Sequence, residues 1–292
     1  MSYTVVVALD GSTLAERALE PAVDLARQHQ GRLLLVRVLP PALPLAYGQE
    51  VVFHAPVNSK DQQLVDEYLK ERAAELEGEG LTVATATPFG LASNTLIDIC
   101  REEKADLLCL TTHGRSGFAR WLLGSTTEEV LRGAELPILV VRSQSVKLSS
   151  LRKILVPLDG SKLSARALDQ ARELARASGA TLVLCRVLDT AHLDQSLPSV
   201  LDGHEGQLAE VRSYLNEMAA SLQPEFRVET IWQVGSPARA LLEVAQSHNV
   251  DLVVMSTHGH RGFQRFICGS VAENVVRGSV CPVMLVPSRA PG

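Results

Sequence analysis

Leu9-Asp10-Gly11-Ser12 ends the first apolar run of the chain, and Leu158-Asp159-Gly160-Ser161 repeats it at an offset of 149. The residues after each copy keep that register. Leu14, Ala18, Leu19, Ala22, Leu25 and Ala26 correspond to Leu163, Ala167, Leu168, Ala171, Leu174 and Ala175, and Arg37-Val38-Leu39 corresponds to Arg186-Val187-Leu188. Further along the offset falls to 145. Thr112-His113-Gly114 matches Thr257-His258-Gly259, Gly117-Phe118 matches Gly262-Phe263, Arg120 matches Arg265, and Gly124-Ser125 matches Gly269-Ser270. Arg132-Gly133 and Pro137 return as Arg277-Gly278 and Pro282. Self-similarity on this scale is a duplicated structural unit. The length difference between copies belongs in surface loops. The polar stretch SQSVKLSS, residues 143–150, reads as a linker, which gives domains 1–144 and 150–292. A length of 292 residues agrees with two domains of ~150 residues each.

Within each copy, strand and helix patterns alternate, as in a mostly parallel sheet flanked by helices. In the first copy Tyr3 to Leu9 is a β-rich run, and the spacing of Leu14, Ala18, Ala22 and Leu25 predicts a helix. Pro21 falls inside that helix and is expected to kink it, whereas the second copy has Gln170 there. Arg32 to Leu39 reads as strand two and the Pro-rich residues 40–56 as a loop. Then come helix 61–76, strand 81–87, helix 93–103, strand 105–111 and a last strand at 137–141. The second copy repeats this order, with five strands in each.

The formal net charge of −5 and pI near 5.9 supply no basic field for nucleic acid. The opening MSYTVVVALDGS lacks the basic stretch and long apolar run of a secretory signal, and the apolar runs are strand-sized. A cytoplasmic protein with no membrane partner is expected. The five cysteines, Cys100, Cys109, Cys185, Cys268 and Cys281, form no Cys-x-x-Cys pair and read mostly as small core residues, with no metal site.

The chemistry concentrates after strand four. There Thr111-Thr112-His113-Gly114 is followed by nine residues, Gly124-Ser125 and a helix, and Ser256-Thr257-His258-Gly259 by nine residues, Gly269-Ser270 and a helix. In open α/β sheets ligands bind beyond the carboxyl ends of the strands. Glycines let backbone N–H groups approach a ligand, and a helix N-terminus favours an anion. Ser125 and Ser270 are expected as N-caps. Asp10 and Asp159 end strand one on the same edge, where a carboxylate can accept from a ribose diol. A donor-rich cradle with a carboxylate describes a nucleotide. Arg115, Arg120, Arg261 and Arg265 stand ready to neutralise phosphate. Other readings stand beside these: Asp before Gly-Ser also caps helices, the arginines also fit plain solvated surface, and His113 and His258 fit hydrogen bonding within the loop better than base catalysis. Neither Gly-Lys-Ser/Thr nor Gly-x-Gly-x-x-Gly accounts for these loops.

The strands VALDGS and VPLDGS, the loops THGRSGFARWLLGS and THGHRGFQRFICGS, and the closing PILVV and PVMLV resemble the universal stress protein family, in both halves. ATP-binding members carry Gly-x-x-Gly, nine residues, then Gly-Ser/Thr. Gly114, Gly124, Gly259 and Gly269 match its later glycines, while Thr111 and Ser256 replace the first. The resemblance implies nucleotide-binding roles for Ala8, Asp10, Val38, Thr111, Gly114, Arg115, Gly117, Gly124, Ser125 and Thr126. In the second copy it implies them for Pro157, Asp159, Val187, Ser256, Gly259, Arg261, Gly262, Gly269, Ser270 and Val271. Val38 and Val187 would lie against adenine, and Thr126 and Val271 follow the phosphate-binding serine. Pro157 matches the family's frequent proline, where the first copy has Ala8.

The expected fold is α/β: two tandem Rossmann-like open-sheet domains, each a five-stranded mostly parallel sheet with helices on both faces. The expected function is ATP binding, with Mg²⁺ as its companion ion, in a stress-response protein that regulates by binding. The alternatives are a nucleotide-free interaction module of the same fold, or at most a slow ATPase. Family members pair through their last strands. Here the apolar strands 137–141 and 282–286 are expected to pair as an internal pseudo-dimer, or between chains as a homodimer.

Overall fold

A computed structural model describes residues 3–41, 44–47, 50–53, 59–112, 124–142, 147–189, 205–257 and 269–287. By its internal contacts the chain divides into two compact units, residues 1–138 and 139–292. The division falls inside the last strand of the first repeat, a few residues before the linker.

The first repeat holds β1 (Thr4–Ala8), α1 (Leu19–Gln28), β2 (Arg32–Val36), β3 (Pro44–Tyr47), β4 (Glu50–Phe53), α2 (Ser59–Gly78), β5 (Thr82–Ala86), α3 (Ala92–Glu102), β6 (Leu107–Thr111), α4 (Ser125–Gly133) and β7 (Ile138–Val141). The second holds β8 (Lys153–Pro157), α5 (Lys162–Ser178), β9 (Thr181–Asp189), α6 (Glu205–Leu222), β10 (Val228–Gly235), α7 (Pro237–Ser247), β11 (Leu252–Ser256), α8 (Ser270–Gly278) and β12 (Val283–Val286).

In the first unit the strands run in the order β6-β1-β2-β5, and every pair is parallel. In the second the order β10-β9-β8-β11-β12 is again parallel throughout. Successive strand residues point to opposite faces, yet Val5, Val6 and Val7, all of β6, and all of β11 are buried. Both faces of these strands are therefore covered, which is why they read as unbroken apolar runs. α1 packs on β1 and β2, α2 on β2 and β5, and α5 on β8 and β11. β5 and β10, which end their orders, are only part-buried.

Pro21 does not kink a helix. The chain instead turns once as a 3-10 helix at Ala15–Ala18, and α1 begins at Leu19. Pro21 then lies in the first turn of α1, where a missing N–H costs no intrahelical bond. With Gln170 at that point, α5 runs unbroken from Lys162.

Residues 40–56 are not wholly loop. They contain the antiparallel hairpin of β3 and β4, outside the main sheet. Pro44 hid it from the pattern, although proline is tolerated as the first residue of a strand. The linker is structured at its end: Leu148–Ser150 forms a 3-10 turn, and Leu148 is buried.

Candidate functional site

The order β5-β2-β1-β6 means that the chain leaves β1 toward one side of the sheet and returns to its other side with β6. Such a reversal opens a crevice at the carboxyl ends of the two central strands, the site where open sheets bind ligands. In the first unit β1 and β6 bracket it, with Val7 beside Cys109. In the second it lies between β8 and β11, with Leu155 beside Val253. The expected site residues fall at these ends. Ala8 and Pro157 are the last residues of β1 and β8, with Asp10 and Asp159 two residues on. Thr111 and Ser256 end β6 and β11 and are buried. Val38 lies just past β2, and Val187 lies within the longer β9.

The aspartates do not cap the helices. Asp10 Oδ1 accepts from the Ser12 N–H at 2.9 Å and from the Ser12 hydroxyl at 2.6 Å. Asp159 Oδ1 accepts from the Ser161 N–H at 2.9 Å. Each carboxylate thus closes an Asx turn through a glycine with positive φ, +82° at Gly11 and +84° at Gly160. Ser161 caps α5, its Oγ accepting from Ser164 N–H at 3.2 Å, and Ser12 Oγ accepts from Ala15 N–H at 3.1 Å at the start of the 3-10 turn. The second oxygen of Asp10 is buried and, among the described residues, has no hydrogen-bond partner. A buried acceptor without a donor is costly, so this oxygen marks a place that a ligand donor would satisfy.

Ser125 and Ser270 are not N-caps either. Gly124 and Gly269 hold that position, with extended backbone, and the serines are the first residues of α4 and α8. The reason is local. Gly124 N–H donates to the Thr112 carbonyl at 2.7 Å and Gly269 N–H to the Thr257 carbonyl at 2.6 Å, folding the chain back onto the end of the preceding strand. The helix begins one residue later, with Thr126 and Val271 second in it. A glycine at the cap has no side chain with which to bond the first-turn N–H groups. Glu128 and Glu273 lie in those first turns, and each is held by an arginine four residues on, Arg132 and Arg277 (2.7 Å for the latter). That pairing tempers the negative charge nearest the helix start. The repeats differ at one contact: Thr127 Oγ1 donates to the Thr111 carbonyl at 2.9 Å, where the second repeat has Ala272.

Gly114, Arg115, Gly117, Gly259, Arg261 and Gly262 lie outside the described residues, as do His113, His258, Arg120, Arg265 and Cys268. Among the described residues no group of His, Cys, Asp and Glu could hold a metal, and no helix is long and apolar enough to cross a membrane.

The sequence model of the universal stress protein family matches residues 1–142 and 150–287. The chain belongs to the universal stress protein family. A universal stress protein of Mycolicibacterium smegmatis is 28% identical over 98% of both chains. One of Mycobacterium tuberculosis is 27% identical over 96% of this chain and 94% of its own. The crystal structure of a universal stress protein from Archaeoglobus fulgidus superposes with a TM-score of 0.75 at 22% identity, covering 99% of this chain and 100% of that one. The likeness runs through both repeats, so the tandem arrangement is common to these family members.

Beside the turn of each repeat stands an arginine–tyrosine pair whose tyrosine sequence reasoning missed. Arg37 lies over the ring of Tyr68, with its guanidinium carbon 5.5 Å from the ring centre, and Arg186 lies over Tyr214 at 4.8 Å. The tyrosines come from α2 and α6. Tyr68 donates to Glu16 Oε1 at 3.0 Å, and burial together with that carboxylate pushes its phenol upward from the usual range. Burial likewise raises the Tyr214 phenol, against the lowering effect of Arg186. The arginines were visible as part of the repeat. The tyrosines recur at an offset of 146, between the two registers that define it.

Proposed function

We propose that each repeat of this universal stress protein binds a nucleotide of the ATP type, with Mg²⁺, at the crevice between β1 and β6 in the first repeat and between β8 and β11 in the second. The protein would act in the stress response by binding rather than by turnover. The observation that carries this reading is the pairing, in both units, of an Asx-turn carboxylate with a glycine-capped helix on opposite sides of the switch point. The helix start offers N–H donors and the positive end of a dipole to phosphate. The carboxylate offers acceptors to a ribose diol, and in the first unit one of them is buried and, among the described residues, without a donor. Thr111 and Ser256, in place of the family's first glycine, are small enough to keep the crevice open.

Calorimetric titration of the chain with Mg²⁺-ATP tests this. Two sites per chain are expected. Absence of binding at millimolar ATP overturns the reading and leaves an interaction module of the same fold.

A further inference from the structure

The arginine–tyrosine pairs stand against the turn that carries each aspartate. A Cβ built on Gly11 would lie 2.5 Å from Arg37 Nη1 and 2.9 Å from its Cζ. One built on Gly160 would lie 3.3 Å from Arg186 Nη2 and 3.4 Å from its Nη1. Each guanidinium therefore neighbours both an aromatic ring and the bare glycine of the turn. Three positions far apart in sequence interlock: a glycine after the first strand, an arginine at or just past the second, and a tyrosine on the following helix. The interlock occurs in both repeats. A guanidinium is the side chain whose plane can stack on a ring while its edge meets backbone.

The turn it touches fixes the carboxylate. Ser12 N–H and Ser161 N–H each hold one aspartate oxygen across a glycine of positive φ, and that backbone conformation sets the geometry of each turn. Holding the glycine holds the turn, and the turn aims the other oxygen.

We propose that Arg37 and Arg186 are positioning residues for the diol-binding carboxylates: each pins the left-handed glycine of its turn from the platform of Tyr68 or Tyr214. The proposal rests on the nucleotide reading above. It concerns the ribose end of the ligand and leaves the phosphate end to α4 and α8. Its consequence is selectivity. The chain prefers a nucleotide with a free 2′,3′-diol, and that preference depends on side chains that do not touch the ligand.

The test compares ATP with 2′,3′-dideoxy-ATP by calorimetric titration of the full chain. The wild-type chain is expected to favour ATP on the order of tenfold or more, because lost hydrogen bonds to a charged group are worth at least that. In the chain carrying both Arg37→Met and Arg186→Met, ATP weakens toward the dideoxy compound while the dideoxy affinity holds. A purely structural role would weaken both ligands alike. Should the arginine variant fail to fold by far-ultraviolet circular dichroism, the tyrosines carry the test. Tyr68→Phe with Tyr214→Phe keeps the platform and the preference, and Tyr68→Leu with Tyr214→Leu removes both. A folded variant without guanidinium or platform that keeps the wild-type preference overturns this inference alone. A wild-type chain that binds neither nucleotide overturns the nucleotide reading, and this inference with it. Equal wild-type affinity for the two compounds overturns this inference while the phosphate-end reading stands.

Discussion

Replacing Gly11 and Gly160 by alanine, one at a time, separates two costs that the turns combine. Both glycines have positive φ, +82° and +84°. An L-residue held there costs about 1–2 kcal/mol through its Cβ, and that cost is common to the two variants. The second cost is not. At Gly11 the new Cβ would stand 2.5 Å from Arg37 Nη1, so the guanidinium must leave its place over Tyr68. A partly exposed cation–π contact of this kind is worth about 0.5–1 kcal/mol. At Gly160 the nearest atom is at 3.3 Å, and Arg186 need yield only slightly. Gly11→Ala is therefore expected to destabilise by about 1.5–3 kcal/mol and Gly160→Ala by about 1–2 kcal/mol. At roughly 2–4 °C per kcal/mol, the first lowers the calorimetric midpoint of its unit by about 3–12 °C and the second by about 2–8 °C. Gly206→Ala is the control. It lies in the first turn of α6, a Cβ there meets nothing within 4 Å, and alanine should be neutral or stabilising. If Gly11→Ala costs no more than Gly160→Ala, the guanidinium contact has no energetic weight. If neither differs from Gly206→Ala, the left-handed turn itself is refuted.

Burial and the strand ends give two further expected outcomes. Burial pushes the thiols of Cys100 and Cys185 from the ordinary 9.0 up to about 12. A pKa raised by folding gives stability that is whole below pH 9 and lost as pH climbs toward 12. Between those limits each thiol contributes a fall of about 1.4 kcal/mol per pH unit. Urea midpoints measured from pH 8 to 11 should fall less steeply once Cys100 and Cys185 are replaced by alanine, and equal slopes would count against the thiols as the cause. The expected pairing of the last strands is tested on residues 1–144 expressed alone. They should sediment as a homodimer at micromolar concentration, and a stable monomer would speak against strand-edge pairing.

The fold was legible because the two copies check one another. Leu14, Ala18, Ala22 and Leu25 suggest a helix on spacing alone, and Leu163, Ala167, Ala171 and Leu174 say so again without the proline. The β3–β4 hairpin had no such support, because the prolines at 40, 41 and 44 silence the strand pattern and the second copy offers no matching signal. The caps were misread for a physical reason. Pattern rules prefer a hydroxyl at a helix start, and Ser125 and Ser270 supply one. The bond from the glycine N–H to the Thr112 or Thr257 carbonyl decides instead where the chain turns helical, and no local pattern encodes that long return.

The aspartates show how far spacing reaches and where it stops. The sequence placed Asp10 and Asp159 at strand ends and left open whether they cap helices or meet a ligand. In the structure Ser161 caps α5, Ser12 Oγ meets the Ala15 N–H, and each aspartate closes its own turn. Nothing within the sequence could then connect the turn to Arg37 or Arg186, because that contact joins the first strand's end to the second strand and to a helix further on. The tyrosines were hidden for the same reason. A single aromatic on a largely polar helix carries no period of its own, and α2 and α6 align at 146, a register that neither flanking motif shares. A duplicated chain reveals its elements by repetition. The couplings between elements appear only once the strands are in order, and it is there, at the switch point, that the two copies reproduce the same glycine, guanidinium and ring.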